Sequence, residues 1–278
     1  MSNNPLIAAY KKPAVFVSLP SGGRWYDPKP KLSVDNELAV YPMSARDELI
    51  TKTPDALFNG EATVSLLESC CPDIDNPRQV PVSDLYVLMI AIRQASYGNK
   101  FDVDMKCPKC NMLNQLAIDS ARLLASVKEV STDDIIKLEN GFKIKAKPYN
   151  LEDRTLLQLQ NIKQQKMLRS LGDENISDEQ RAKQFGETFV SLASLTVQLI
   201  ANCIVSVQTP DSTDSITDLT TILEWLQNIS KKDYDLIKDT VEELSDPGVD
   251  TKFSAKCQDC QHEWETDIEL DLANFFAG

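Results

Sequence analysis

The sequence predicts an α+β protein in which both ends of the chain form a β-rich frame and a helical block is inserted into it. Strand-like segments rich in turn residues occur near the start, whereas apolar residues from about Leu151 to Leu244 recur at helical spacing. Two motifs of the form Lys-Cys-x-x-Cys, at Lys106–Cys110 and Lys256–Cys260, have similar flanks although they lie far apart. This repeat predicts that the two ends of the chain meet.

The composition indicates a globular protein with an acidic surface. The chain has 278 residues, of which 42% are hydrophobic, enough to bury a substantial core. Its formal net charge is -13, and it contains a single histidine. Excess carboxylates repel nucleic-acid phosphates, so the composition favours protein partners over nucleic acid. The N-terminus lacks the charged start and apolar core of a signal peptide, so we expect a reducing compartment.

The first part of the frame is predicted to contain short strands followed by helices. The segment AVFVSLPSGGRWYDP passes from β-branched residues into a turn rich in glycine and proline, and Glu37–Met43 is a second strand. Ser44 is a candidate N-cap, with Asp47 three residues later as in a capping box. A longer helix is predicted over Pro81–Gly98, because its apolar residues recur at helical spacing and its final glycine suits a C-cap.

The inserted block is predicted to follow a strand and to be helical. Phe142–Tyr149 alternates between apolar and polar residues, as in a half-exposed strand, and the polar run at 171–182 is an expected loop. Thr188–Pro210 contains no charged residue and is long enough to span a membrane, but serine, threonine, glutamine and asparagine residues interrupt it. We therefore predict a buried core helix there and no stable membrane insertion.

The two cysteine pairs predict a metal site of the zinc-ribbon type. Each motif is preceded by one strand-like segment and followed by another, so each can form a β-hairpin whose turn carries two thiolates. Cys107, Cys110, Cys257 and Cys260 would together surround one structural Zn²⁺. The 146 residues between Cys110 and Cys257 exceed the usual ribbon spacing of about 15–20 residues. An iron site and a set of reduced or redox-linked thiols are therefore alternatives.

These features predict three regions. Residues 1–150 form an N-terminal α+β region with the first zinc knuckle, and residues 151–246 form the helical block. Residues 247–278 form a C-terminal zinc knuckle that pairs with the first. The remaining cysteines are interpreted as small core residues: Cys70, Cys71 and Cys203.

We expect no enzymatic activity. The chain has no nucleophile motif, no phosphate-binding glycine loop and no HExxH motif, and its single histidine, His262, is interpreted as a surface residue. Four thiolates leave a tetrahedral metal without an open position for water, which is typical of a structural site. A zinc-ribbon nucleic-acid-binding protein is a further alternative. Acidic residues of the second knuckle disfavour it: Asp259, Glu263, Glu265 and Asp267.

Four stretches of the chain occur together in a combination that is typical of one family. They are LPSGGRWY, YPMSARDELITKTPDALFNGEA, FDVDMKCPKC and CQDCQHEW. These stretches resemble the baseplate hub family of T-even-type contractile-tailed bacteriophages. The resemblance implies a structural or assembly protein that contacts other baseplate hub or tail proteins, located in the virion tail baseplate or in the host cytoplasm during assembly. A transient tail assembly chaperone that is absent from the virion is the alternative.

The family-like region also contains candidate partner contacts. Trp25 and Tyr26 follow a glycine turn, where aromatic side chains can anchor a partner or instead cover the core. Arg46, Asp47 and Glu48 begin the helix predicted after the N-cap, where they can face a partner or instead stabilise the helix. Both interpretations stay open for these residues.

Overall fold

The computed structural model describes residues 11–52, 60–130, 134–170, 186, 191, 193–246, 248–250 and 252–267. The chain divides into two compact units, which we call the frame unit and the inserted unit. The frame unit comprises Met1–Val130 and Pro247–Gly278, and the inserted unit comprises Ser131–Asp246. Both contain helices and small antiparallel sheets, which confirms the predicted α+β class.

The first part of the frame unit consists of short strands and helices. In chain order they are β1 (Val15–Ser18), β2 (Glu37–Val40), α1 (Ala45–Thr51), α2 (Glu61–Cys70), a 3-10 turn (Pro77–Gln79), α3 (Val82–Tyr97), β3 (Lys100–Lys106), β4 (Leu113–Asp119) and α4 (Ser120–Ala125). The predicted capping box is present at α1. The backbone N–H of Asp47 donates to the Ser44 hydroxyl, and the Asp47 carboxylate accepts the N–H of Ser44 at 2.7 Å.

The inserted unit combines one sheet with several helices. Its labelled elements are β5 (Ile135–Lys137), β6 (Lys143–Ala146), α5 (Leu151–Ser170), β7 (Ile204–Gln208), β8 (Ser215–Ile216), α6 (Leu219–Asn228) and α7 (Lys231–Leu244). The strands form a single antiparallel sheet in the order β5-β6-β7-β8. Phe142, which precedes β6, stacks on Trp225 of α6 with ring centroids 5.6 Å apart, so this helix lies close to the sheet. The chain then returns to the frame unit as β9 (Lys252–Lys256) and β10 (Glu263–Asp267).

The prediction of a single buried core helix over Thr188–Pro210 is wrong in two respects: the helical residues 193–198 are exposed or half-buried, and the second half of the stretch contains a strand. Residues 193–202 are helical, but strand β7 follows and pairs with β6. Ile204, Val205 and Val207 are β-branched, and such residues favour strands. The polar residues Ser194, Gln198, Asn202 and Ser206 keep a helical spacing across the boundary, so the sequence pattern does not mark where the helix ends. The inserted unit is therefore a mixture of helices and strands.

The predicted loop at 171–182 and the absence of a membrane-spanning helix concern segments that the structure describes only in part or not at all. The polar run at 171–182 lies outside the described residues, as do 188–190 and 192 of the uncharged stretch. Within the described ranges, no helix combines the length and the apolar character that crossing a bilayer requires.

Helix α3 is the central element of the frame unit. Leu85, Leu88, Ile90 and Ile92 are each at most 2% exposed, and the helix contacts both β1 and β2. Burying each such aliphatic side chain contributes about 1.5–3 kcal/mol to stability. The predicted helix is thus confirmed, and Gly98 ends it with a left-handed φ of 87° that a glycine adopts without strain.

A buried carboxylate in the first turn of α3 holds the loop that follows β1. Asp84 is 0% exposed and accepts hydrogen bonds from the backbone N–H of Ser21 at 2.8 Å, from the Ser21 hydroxyl and from the Tyr26 hydroxyl at 2.8 Å. Burial raises the pKa of Asp84 to about 6, although the hydrogen bonds from Ser21 and Tyr26 oppose this change. These contacts fasten the loop to the core helix.

The point at which the chain returns to the frame unit lies against the same loop. The carbonyl of Gly248 accepts the N–H of Lys128 at 2.8 Å, and the carbonyl of Pro20 accepts the N–H of Val130 at 2.9 Å. A Cβ atom at Gly248 would overlap the ring of Pro20. Only glycine fits there, and the chain leaves and rejoins the frame unit beside residues of the loop after β1.

The raised pKa of Asp84 predicts a pH-dependent stability. The pKa of Asp84 is about 6 in the folded chain and near 4 in the unfolded chain, so the folded state binds the carboxyl proton more tightly. The stability that this proton contributes is fully present below about pH 4 and is lost as the pH rises through 6. We expect the free energy of unfolding of the wild type, relative to Asp84→Asn, to fall by about 1.4 kcal/mol between about pH 5 and about pH 7.5. Urea denaturation at several pH values measures it.

The exposed Asp102 of β3 provides the control. Asp102→Asn removes the same charge from a solvated site, so its stability should track the wild type across this pH range. A constant difference between the wild type and Asp84→Asn would show that Asp84 has the same pKa in the folded and unfolded chain.

Candidate metal centre

Two β-hairpins of the frame unit carry the cysteine pairs in their turns. Strands β3 and β4 pair antiparallel and are connected through Cys107–Cys110, whereas β9 and β10 pair antiparallel and are connected through Cys257–Cys260. Lys106 pairs with Leu113 at the end of the first hairpin, and Lys256 pairs with Glu263 at the end of the second. The two hairpins therefore present their cysteines at equivalent positions.

The first turn is closed by backbone hydrogen bonds around its leading cysteine. The N–H of Cys107 donates to the carbonyl of Met112 at 2.9 Å, and the carbonyl of Cys107 accepts the N–H of Asn111 at 2.9 Å. Asn111 has a left-handed φ of 59°, a conformation that asparagine tolerates well. The N–H of Lys109 points at the Cys107 sulfur at 3.4 Å. We call this turn, residues 107–112, the first knuckle.

The second turn, residues 257–262, repeats this arrangement and is the second knuckle. The N–H of Cys257 donates to the carbonyl of His262 at 2.8 Å, and the carbonyl of Cys257 accepts the N–H of Gln261 at 3.1 Å. Gln261 has a φ of 56°, close to that of its counterpart in the first knuckle. The sequence repeat is therefore a repeat of backbone geometry.

The structure brings the predicted cysteines into one cluster. Their Sγ atoms all lie within 4.8 Å of one another, with Cys107 and Cys260 at 3.7 Å and Cys110 and Cys257 at 3.6 Å. A tetrahedral Zn²⁺ with Zn–S bonds of about 2.3 Å separates its sulfurs by about 3.8 Å, whereas a disulfide requires about 2.05 Å. The spacing suits four ligands around one metal ion and excludes disulfides in this cluster.

The cluster stabilises thiolate charge unequally. Backbone N–H groups of Cys260 and Asp259 hydrogen-bond to the Cys257 sulfur and, with the neighbouring thiols, lower the pKa of Cys257 to about 6. The backbone N–H of Met112 acts in the same direction on Cys110, but desolvation and the other three sulfurs outweigh it and raise the pKa of Cys110 to about 12. Because metals bind the thiolate form, a bound cation would displace any proton that remains on these sulfurs.

The four sulfurs differ in their access to solvent. Cys107 and Cys257 are buried, Cys260 is half-buried and Cys110 is exposed. A metal ion would therefore enter on the side of Cys110. Once four protein sulfurs surround it, no coordination position remains for water or substrate.

Asn114, on strand β4, is a site residue that the sequence interpretation missed. It is 7% exposed, and its side-chain oxygen accepts the N–H of Gln258 in the second knuckle at 2.9 Å. Its amide nitrogen donates to the carbonyl of Met112 at 2.9 Å and lies 3.7 Å from the Cys257 sulfur. One feature of the sequence could have indicated it: Asn114 is a polar residue on the same strand face as the apolar Leu116 and Ile118.

The remaining cysteines and the histidine have no place in this cluster. Cys70, Cys71 and Cys203 are buried, and burial raises the pKa of each thiol, that of Cys70 to about 12. They are neutral core residues, as predicted. His262 stacks on Trp264 with ring centroids 6.2 Å apart.

The candidate partner contacts lie in two separate stretches with different exposure. Tyr26 is 7% exposed and donates to Asp84, whereas Trp25 is half-buried with the Arg24 guanidinium 4.5 Å from its ring. In α1, Asp47 is buried and also accepts the Ser69 hydroxyl at 2.8 Å. Arg46 is exposed, and Glu48 pairs with Lys52 at 2.8 Å. A partner role stays a prediction for all five, and the polar groups of Tyr26 and Asp47 are used within the fold.

Comparison with known proteins identifies a family. A family model described as "T4 bacteriophage base plate protein" matches residues 15–277, and so spans both knuckles and the inserted unit. Searches of the curated proteins and of the solved structures found no match.

Proposed function

The chain belongs to the family of T4 bacteriophage base plate proteins, and from this premise we propose that it is a non-catalytic structural or assembly protein of a phage tail baseplate hub, stabilised by one structural zinc ion. The family match over residues 15–277 carries this proposal. The assignment to the hub rests on the resemblance of stretches such as LPSGGRWY and FDVDMKCPKC. The assignment of a structural metal rests on the four-cysteine cluster.

The pattern of sulfur contacts favours a metal site over redox-linked thiols, and zinc is proposed as the metal although iron can use the same four ligands. Four thiolates at tetrahedral spacing form a common structural zinc site. The close sulfur contacts, Cys107 with Cys260 and Cys110 with Cys257, each join one knuckle to the other. A redox pair would instead use the two cysteines of a single motif. Since four sulfurs close the coordination shell, the metal has a structural and not a catalytic role.

The zinc ion would connect two parts of the frame unit that are distant in the chain. Bringing Cys110 and Cys257 together across 146 intervening residues costs on the order of 5 kcal/mol of loop entropy. Structural zinc binding supplies about 10–16 kcal/mol at neutral pH, which exceeds that cost. The metal therefore acts as a clamp that holds the second knuckle against the first.

The proposed partners are other baseplate hub or tail proteins, met during assembly in the host cytoplasm and retained in the tail of a contractile virion. Of the five candidate contact residues, Arg46 has the most exposed side chain, and Trp25 and Glu48 are partly accessible. Tyr26 and Asp47 are buried, so they would stabilise the residues that contact a partner and would not contact the partner themselves.

Loss of one ligand should release the second knuckle. In Cys257→Ser we expect faster proteolysis near residues 246–248, because the return of the chain is no longer clamped by metal. Cleavage of the inserted unit should be the same in Cys257→Ser as in the wild type, because its own contacts do not involve the cluster: Phe142 stacks on Trp225, and Ile237, Val241 and Leu244 of α7 are buried. Limited proteolysis with fragment identification by mass spectrometry tests this expectation.

Cys203→Ala is the matched control, since it removes a cysteine that does not belong to the cluster. It should keep the wild-type cleavage pattern around residues 246–248. If the new cuts in Cys257→Ser lie inside Leu151–Leu244 and not near residues 246–248, or if the variant is cut like the wild type, the cluster does not clamp the chain.

The place of the protein in the phage is tested on purified particles. If the chain is a structural component, its peptides should co-purify with gradient-purified virions and with baseplates isolated from them. An abundant host cytoplasmic protein, quantified in the same fractions, measures carry-over. Detection in the infected-cell lysate but only at carry-over level in virions would contradict a structural role and would identify a transient assembly chaperone.

A further inference from the structure

We propose that Asn114 is a positioning residue of the metal centre: it links the two knuckles and donates an N–H to the Cys257 sulfur, and thereby slows release of the metal. This inference rests on the proposed zinc centre. It assigns a role to a residue outside the Cys-x-x-Cys motifs.

The hydrogen bonds of Asn114 are divided between the two knuckles. Its Nδ2 donates to the carbonyl of Met112 at 2.9 Å within the first knuckle and lies 3.7 Å from the Cys257 sulfur of the second. Its Oδ1 accepts the N–H of Gln258 at 2.9 Å, and Gln258 directly follows that cysteine. Both amide hydrogens and the amide oxygen therefore have partners, so a side chain that is 7% exposed is buried without an unpaired polar group.

The second knuckle shows that this asparagine is not required to form the turn. Cys257 and His262 make the same closing hydrogen bond as Cys107 and Met112, and yet the position equivalent to Asn114 is Trp264. Trp264 is half-buried and stacks on His262. Since the turn closes with either residue, the buried amide of Asn114 must serve another purpose. Its contacts identify that purpose as the junction between the knuckles.

The chemistry of a four-thiolate site explains why such a donor matters. Four thiolates and one Zn²⁺ carry a net charge of about -2, so each N–H that points at a sulfur offsets part of that charge. The N–H of Lys109 serves the Cys107 sulfur from within its own knuckle. Asn114 serves Cys257 from the opposite knuckle, so its hydrogen bond stabilises the charge and fixes the relative position of the two sulfur pairs. Removing groups that hydrogen-bond to metal ligands typically lowers metal affinity by about 10–100-fold.

Two substitutions separate the donor from the acceptor function of this amide. Asn114→Asp keeps an oxygen for the N–H of Gln258 but replaces the N–H at the Cys257 sulfur by a carboxylate oxygen. Asn114→Ala removes every contact of the side chain. The control is Gln115→Glu, the same change from amide to carboxylate at the next residue, whose side chain is exposed.

The experiment measures zinc release from the full-length chain into excess chelator, together with the visible spectrum of the cobalt-substituted protein. We expect Asn114→Asp and Asn114→Ala to release zinc about 10–100-fold faster than the wild type and to alter the sulfur-to-cobalt absorption. Gln115→Glu should differ from the wild type by less than about twofold, because its carboxylate is solvated. These results together would support the proposal.

Other outcomes overturn it, and they are distinguishable. If the wild type holds no metal, the proposed zinc centre fails and the role of Asn114 fails with it. If the wild type holds zinc and Asn114→Asp releases it at the wild-type rate, the donor role is wrong even if Asn114→Ala is fast. If Gln115→Glu releases zinc as fast as Asn114→Asp does, the added negative charge and not the loss of the hydrogen bond controls zinc release. Should Asn114→Ala fail to fold, Asn114→Asp alone decides, because it preserves the shape and the acceptor.

Discussion

The frame unit depends on the meeting of two turns that are separated by 146 residues of chain. The sulfur cluster is where they meet, but it does not hold them alone. The carbonyl of Gly248 accepts the N–H of Lys128, and its α-carbon lies against Pro20 so closely that a side chain would not fit. Protein contacts therefore already bring the returning chain beside the departing chain. A metal bound by the cysteines then closes a loop whose ends are close together, which reduces the entropy that binding must offset.

A buried carboxylate, that of Asp84, is also connected to this junction. Asp84 accepts hydrogen bonds from Ser21 and Tyr26, and Ser21 directly follows the proline against which Gly248 packs. Because the Asp84 carboxylate that holds the loop lies inside the core, desolvation disfavours its charged form and raises its pKa to about 6. Contacts thus run from helix α3 through the loop to the place where the chain returns.

The parts of the fold that were predictable are those in which a local pattern has one meaning. The capping box of Ser44 and Asp47, the helix that ends at Gly98 and the paired cysteine motifs each combine residue type with a spacing that few alternatives share. The strand Ile204–Gln208 was not predictable, because the polar residues of the uncharged run keep a helical spacing as far as Ser206 and because the pairing of the strand with β6 is a long-range property. The assignment of the chain to three regions stays a prediction, as do the partner contacts.

The missed residues are polar groups whose role appears only in three dimensions. In an acidic chain, one aspartate among many is expected at the surface, so nothing in the sequence marks Asp84 as buried. Asn114 similarly resembles an ordinary residue of a half-exposed strand until the second knuckle is placed beside it. The hydrogen-bond partners of a buried polar side chain often come from distant parts of the sequence, so a local pattern does not reveal them. Here Asp84 lies beside the point where the chain returns to the frame unit, and Asn114 lies beside the contact between the knuckles.

We propose that both knuckles bind a single zinc ion through sulfur alone. X-ray absorption at the zinc edge of the purified full-length chain tests it most directly, combined with the metal-to-protein ratio of the same sample. We expect one zinc per chain, surrounded by four sulfurs at about 2.3 Å. A shell containing nitrogen or oxygen at about 2.0–2.1 Å, fewer than four sulfurs, iron in place of zinc, or no metal at all would contradict it.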